Sequence, residues 1–143
     1  DVRALVGDGG AFAIDETLDA LALGDSAAFD RGYRRLIATG TPGFVIAGAA
    51  LRHFNFLQKA RAAFDAGRSA EALVQRAIPP IFFARQKSVA QQIGQWSPAR
   101  IERALTMLDQ AMLASRLHGS LSDDVIGQTM QLVATLAARR QPA

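Results

Sequence analysis

Three observations predict an all-α protein. Apolar residues recur at three- and four-residue steps through most of the chain. The segments they define stop at glycines or begin at prolines. No alternating Val/Ile/Thr run is bounded by an Asn-Gly or Asp-Gly turn. The expected architecture is an irregular helical bundle of about seven helices, with one long central helix and proline-marked corners.

The elements follow in order. A glycine-rich lead-in, VGDGG (Val6 to Gly10), precedes a short helix on which Ile14, Leu18, Leu21 and Ala22 share a face; Gly24 stops it. Asp25 or Ser26 caps the next helix, with Phe29, Tyr33, Leu36 and Ile37 as its apolar stripe. Asp30 and Arg34 stand four apart on its outer side, the favourable order for an ion pair. Gly40 ends it in the left-handed conformation that glycine enters cheaply. Thr41-Pro42 reads as a capping residue followed by proline at the first helical position. The helix they open is the longest, running to about Ala66. Ile46, Ala50, Phe54, Leu57, Ala60 and Phe64 line one face and Arg52, Asn55 and Lys59 the other. Val45, Ala49 and Phe56 widen the apolar arc, so this helix is expected to pack on two sides.

Gly67 closes the long helix, and Ser69 starts a short one ending near Ile78. Pro79 cannot continue it, and Pro80 reads as the start of another. Phe82, Val89, Ile93 and Trp96 form the stripe of that helix, while Arg85, Lys87, Gln91 and Gln95 face outward. Ser97-Pro98 repeats the cap-and-proline device before Ile101, Leu105, Leu108, Ala111 and Met112. His118-Gly119 ends the segment. Ser122 reads as the cap of the last helix, whose core residues are Val125, Ile126, Met130, Val133 and Ala137. Asp123 and Asp124 in its first turn and Arg139 and Arg140 in its last suit the helix dipole.

At 143 residues the chain fits one domain and should hide about 70% of the unfolded chain's surface. It lacks cysteine, which excludes disulfides and thiolate metal sites. It opens on Asp1 rather than methionine and is expected to be part of something longer. No apolar run reaches the roughly 18 residues of a membrane span, and no leader pattern is visible. The expected setting is the cytoplasm, with no membrane contact. The net charge of +3 conceals a polarity. Up to Asp30 the acids Asp1, Asp8, Asp15, Glu16, Asp19, Asp25 and Asp30 oppose Arg3 alone; beyond it the chain is basic. Such polarity fits contact with nucleic acid or an acidic protein face, although codon bias toward arginine and alanine produces the same composition.

Catalytic patterns are scarce. His53 and His118 stand in no metal-ligand spacing, and His53 beside Phe54 reads as a structural imidazole. The VGDGG glycines miss the dinucleotide fingerprint, and no phosphate-loop lysine is present. Asp123-Asp124 resembles a carboxylate pair but is better explained by the helix dipole. No catalytic residue, cofactor or metal site is expected. Tyr33, Trp96 and most phenylalanines fall on core stripes. That leaves His118, beside Arg116 at a helix end, as the ring available to stack on a base. These two are the DNA-contact candidates.

Taken together, DVRALVGD (Asp1 to Asp8), IDETLDALALGDSAAFDR (Ile14 to Arg31), ATGTPGFVIAGAALRHFNFLQKAR (Ala38 to Arg61), IPPIFFARQK (Ile78 to Lys87) and QWSPARIERALTMLDQA (Gln95 to Ala111) resemble, in order and spacing, the C-terminal part of the delta subunit of the bacterial DNA polymerase III clamp loader. The resemblance implies a non-catalytic assembly domain. Residues 1–13 would be the linker-like exit from a preceding lid domain and 14–143 the helical collar domain. Implied partners are the gamma/tau and delta-prime subunits, met through their own C-terminal domains. The sliding clamp would be gripped by an amino-terminal module absent from this sequence, and primer-template DNA would enter the full assembly. In the family, the residue before the glycine matching Gly119 is sometimes aromatic and lies near DNA; here it is His118. From expected exposure rather than any family motif, the subunit-interface candidates are Arg85, Lys87, Gln91, Arg100 and Arg103. The alternative is an independent basic helical module that binds nucleic acid directly.

Overall fold

A computed structural model describes the backbone of residues 2–138 and the side chains of residues 9–138. The chain is all-α, with α1 (Val2–Ala22), α2 (Ser26–Ala38), α3 (Gly43–Asp65), α4 (Ala70–Gln75), α5 (Gln86–Gln95), α6 (Pro98–His118) and α7 (Ser122–Ala138). Single 3-10 turns at Phe83–Arg85 and Gly119–Leu121 lead into α5 and α7. The helix α3, 23 residues long, is the spine. It packs against α1, α4, α5, α6 and α7, while α6 and α7 lie along each other and α2 is held between α1 and α7.

Three helix ends share one closure. After α1, the Gly24 N–H donates to the Leu21 carbonyl and the Asp25 N–H to the Ala20 carbonyl. The same pair of bonds recurs at Gly40-Thr41 after α2 and at Gly67-Arg68 after α3. In each, a glycine at positive φ (80°, 100° and 107°) turns the chain so that orphan carbonyls are satisfied. Helix starts are capped as their sequences predict at three places: Asp25 accepts from the Ala28 N–H, Ser69 from Ala72 and Ser97 from Arg100.

Four local readings change. The lead-in Val6 to Gly10 is helical, because α1 already begins at Val2. A helical glycine costs only about 1 kcal/mol relative to alanine, and no proline stands in this segment to stop the helix. Pro42, not Thr41, is the capping residue of α3, and it offers no side-chain acceptor. Instead Asp123 from α7 reaches across, its Oδ1 accepting from the Gly43 N–H at 2.7 Å. Ser122 is itself helical rather than a cap, since the 3-10 turn runs straight into α7. Finally, Pro80 does not begin a helix. Residues 77–82 are irregular, the Ile78–Pro79 peptide is cis, and α5 starts only at Gln86. Arg139 and Arg140 lie outside the described residues.

The core is contiguous. Ile14, Leu18 and Leu21 from α1 meet Phe29 from α2 and Ile46, Phe54 and Leu57 from α3. Val89 and Ile93 from α5, Ile101 and Leu108 from α6, and Ile126, Met130 and Val133 from α7 complete it. Each such side chain contributes roughly 1.5–3 kcal/mol on full burial. Trp96, between α5 and α6, stacks edge-on against Phe54 at 4.8 Å, and its indole N–H donates to the Ala22 carbonyl at 2.7 Å. One residue thus ties the end of α1 to the spine. At the other end the Tyr33 hydroxyl donates to the Asp123 carbonyl at 2.6 Å. Gly127 is glycine because a Cβ there would stand 2.8 Å from the Tyr33 ring.

Candidate functional site

Of the residues expected at a subunit interface, Lys87 and Gln91 are exposed and together line a shallow groove between α4 and α5 with Gln75 and Gln86. Arg103 is exposed on α6 beside Glu102 and Met107. Arg100 is half-buried near the start of the same helix. Arg116 and His118 are exposed at its end.

Arg85 is a correction. Its side chain is 11% exposed and folds inward onto α1. The Nε donates to Asp19 Oδ2 at 2.7 Å and Nη2 to Asp19 Oδ1 at 3.0 Å, while Nη1 lies 3.5 Å from Asp15. The expected outward position fails because the helix begins after Arg85, so the periodicity of α5 does not place it. Phe82 leaves the core for the same reason and is 59% exposed.

The Arg85–Asp19 pair is the centre of a polar network. Gln92, fully buried, donates from Nε2 to Asp19 Oδ1 at 2.9 Å and to Ser88 Oγ at 3.1 Å. Its Oε1 accepts from His53 Nε2 at 2.6 Å, which places a proton on that nitrogen. Burial, the largest influence, pushes the His53 pKa down; Asp19 and the Gln92 hydrogen bond pull the other way. Sequence reasoning missed Asp19 and Gln92. The available signal was an acid at position 19, one step from the Leu18 stripe, which requires a cation from another element once buried. Among the described residues no buried side-chain nitrogen or oxygen lacks a partner, and no three His, Cys, Asp or Glu side chains converge as a metal site would need.

Besides Phe12 on α1, Phe44 on α3 and Leu132 on α7, the large apolar side chains that face outward fall in two stretches of the chain. Leu113 and Leu117, four apart on α6, are joined by Leu121 in the following turn; Leu117 is 86% exposed. The second group lies between α4 and α5, where Ile78 and Phe83 are 92% and 84% exposed and Phe82 packs edge-on against Phe12 of α1 at 5.5 Å. Of the phenylalanines that patterning places on core stripes, Phe82 is exposed, as are Phe12, Phe44 and Phe83, which stand on no predicted stripe. Ile78 also lines a groove of about 520 Å³ that opens between α1, α3 and the 78–81 segment. No helix among the described residues is long and apolar enough to cross a membrane. Comparison with family models, curated proteins and solved structures gives no match to the chain.

Proposed function

We propose that the chain is the helical assembly domain of a clamp-loader subunit, of the kind the delta subunit of bacterial DNA polymerase III contributes to a pentameric collar. The observation that carries this reading is the pair of outward apolar groups on different elements, Leu113-Leu117-Leu121 and Ile78-Phe82-Phe83. A member of a closed ring meets two neighbours through two different patches, so it needs two such surfaces. Specific interfaces bury about 1,600 Å² and centre on apolar anchors with a polar rim. Arg116 and His118 would rim the first group, and Lys87 and Gln91 lie on the helix that follows the second. The ordered resemblance across nearly the whole sequence supports the same reading.

In this reading the domain assembles and does not catalyse. Its partners are the C-terminal domains of the gamma/tau and delta-prime subunits. Clamp contact belongs to an amino-terminal module, primer-template DNA to the full assembly, and the setting is the cytoplasm. Direct nucleic-acid binding through Arg116 and His118 is the weaker reading, because Leu117 stands between them and suits a protein surface better than a phosphate backbone. Replacing Leu117 by Asp tests the assembly role. Leu117 is already in water, so stability should change by less than about 0.5 kcal/mol, while co-elution with the partner C-terminal domains should be lost. Unchanged co-elution would remove this patch from the interface.

A further inference from the structure

The groove between α1, α3 and the 78–81 segment has walls of different chemistry. One wall is apolar and rigid: Ile78, Pro79, Pro80 and Ile81 present side chains, and the two prolines lack an N–H to offer. The facing wall is the outer side of α3, where Arg52, Asn55 and Lys59 follow one another at helical spacing. Among the described residues, Arg52 and Lys59 are exposed and take part in no ion pair. At the floor one cation, Arg85, stands between two carboxylates, Asp15 and Asp19, and Asp15 lines the groove with it. With Arg52 and Lys59 counted, cations outnumber carboxylates at the groove three to two, and the two at its mouth have no carboxylate partner among the described residues. The volume, about 520 Å³, is that of a pocket for a few side chains rather than for a whole helix.

From this juxtaposition we propose that the groove docks a short acidic segment of a partner protein, extended and bearing one bulky apolar side chain between carboxylates. The apolar side chain lies against Ile78 and Ile81, the carboxylates meet Arg52 and Lys59, and the Asn55 amide bonds the peptide main chain. Prolines on the apolar wall rule out strand addition as the mode of binding, so selectivity comes from side chains. Ile78 belongs both to this groove and to the second outward apolar group, so a collar neighbour and the acidic segment compete for it. The peptide test uses the chain alone and the co-elution test the Leu117 surface, so each reading can fail without the other.

The test is fluorescence anisotropy with a labelled peptide in which aspartates and serines alternate around one central phenylalanine. The 143-residue chain should bind it saturably, with a Kd at or below roughly 100 μM. The R52E/K59E variant should weaken binding at least about tenfold, as should replacing the peptide's aspartates by asparagine. Ile78→Ser, at a side chain already in water, should weaken binding of the same peptide without changing the melting temperature. Absence of saturable binding to the unsubstituted chain overturns the proposal, and so does an affinity indifferent to both the charge reversal and Ile78→Ser.

Discussion

Asp19 joins three elements, α1, α5 and the turn before it, through one carboxylate. It accepts two hydrogen bonds from Arg85 and one from Gln92 in a site with little water. Removing one member of a buried ion pair costs about 3–5 kcal/mol; Asp15 still stands 3.5 Å from Arg85, so the lower end applies. Asp19→Ala should therefore lower the melting temperature by roughly 10 °C or more. A fall of only a degree or two in thermal denaturation would show that water replaces the carboxylate. His53 gives a pH signature. Because burial depresses its folded pKa, the unfolded chain binds the proton more readily. The His53 contribution is fully present above its unfolded value of about 6.5 and is lost as pH falls through its lower folded value. His53→Gln should flatten the change in urea midpoint between about pH 7 and 5 relative to the parent chain; parallel curves would place the titrating group elsewhere. At this scale the sequence was least legible. Arg85 reads as surface because its partner stands 66 positions away, and a cation's position on a helical wheel says nothing about an acid on another helix.

Helix boundaries were legible wherever the signal is local. Gly24, Gly40 and Gly67 end helices through bonds to residues a few positions back, and Asp25, Ser69 and Ser97 cap the helices that follow them. They were illegible wherever the partner is distant, as at the start of α3, capped by Asp123 eighty positions on. The end of α5 is a similar case. Arg61 on α3 donates from Nη1 to the carbonyls of Ile93, Gly94 and Trp96 at 3.0–3.2 Å, while its Nε pairs with Asp65 and its guanidinium lies 5.3 Å from the Phe64 ring. One planar side chain thus satisfies the carbonyls that the end of α5 leaves open. Arg61→Ala should destabilise the chain by about 1.5–3 kcal/mol. Hydrogen exchange should show the added opening first at the α5–α6 corner, including the Trp96 amide. Uniform loss of protection across all helices would instead mean that Arg61 supports the whole fold equally.

At the scale of the molecule, the all-α architecture and the spine were legible because they rest on periodicity: Ile46, Ala50, Phe54, Leu57 and Ala60 are buried as their spacing predicts. The outward surfaces were not. Leu113 and Leu117 lie off the stripe that spacing predicts for α6, of which Ile101, Leu108 and Ala111 are buried, but lying off a stripe does not by itself show that no other element packs over them. Phe82 reads as core until the irregular 77–82 segment lifts it out. The proposed assembly role rests on these two surfaces, and mass in solution tests it most directly. Light scattering after size exclusion of the chain mixed with the C-terminal domains of gamma/tau and delta-prime should give one species whose mass is the sum of a defined set of subunits. Separate peaks at the masses of the unmixed components would contradict the assembly role.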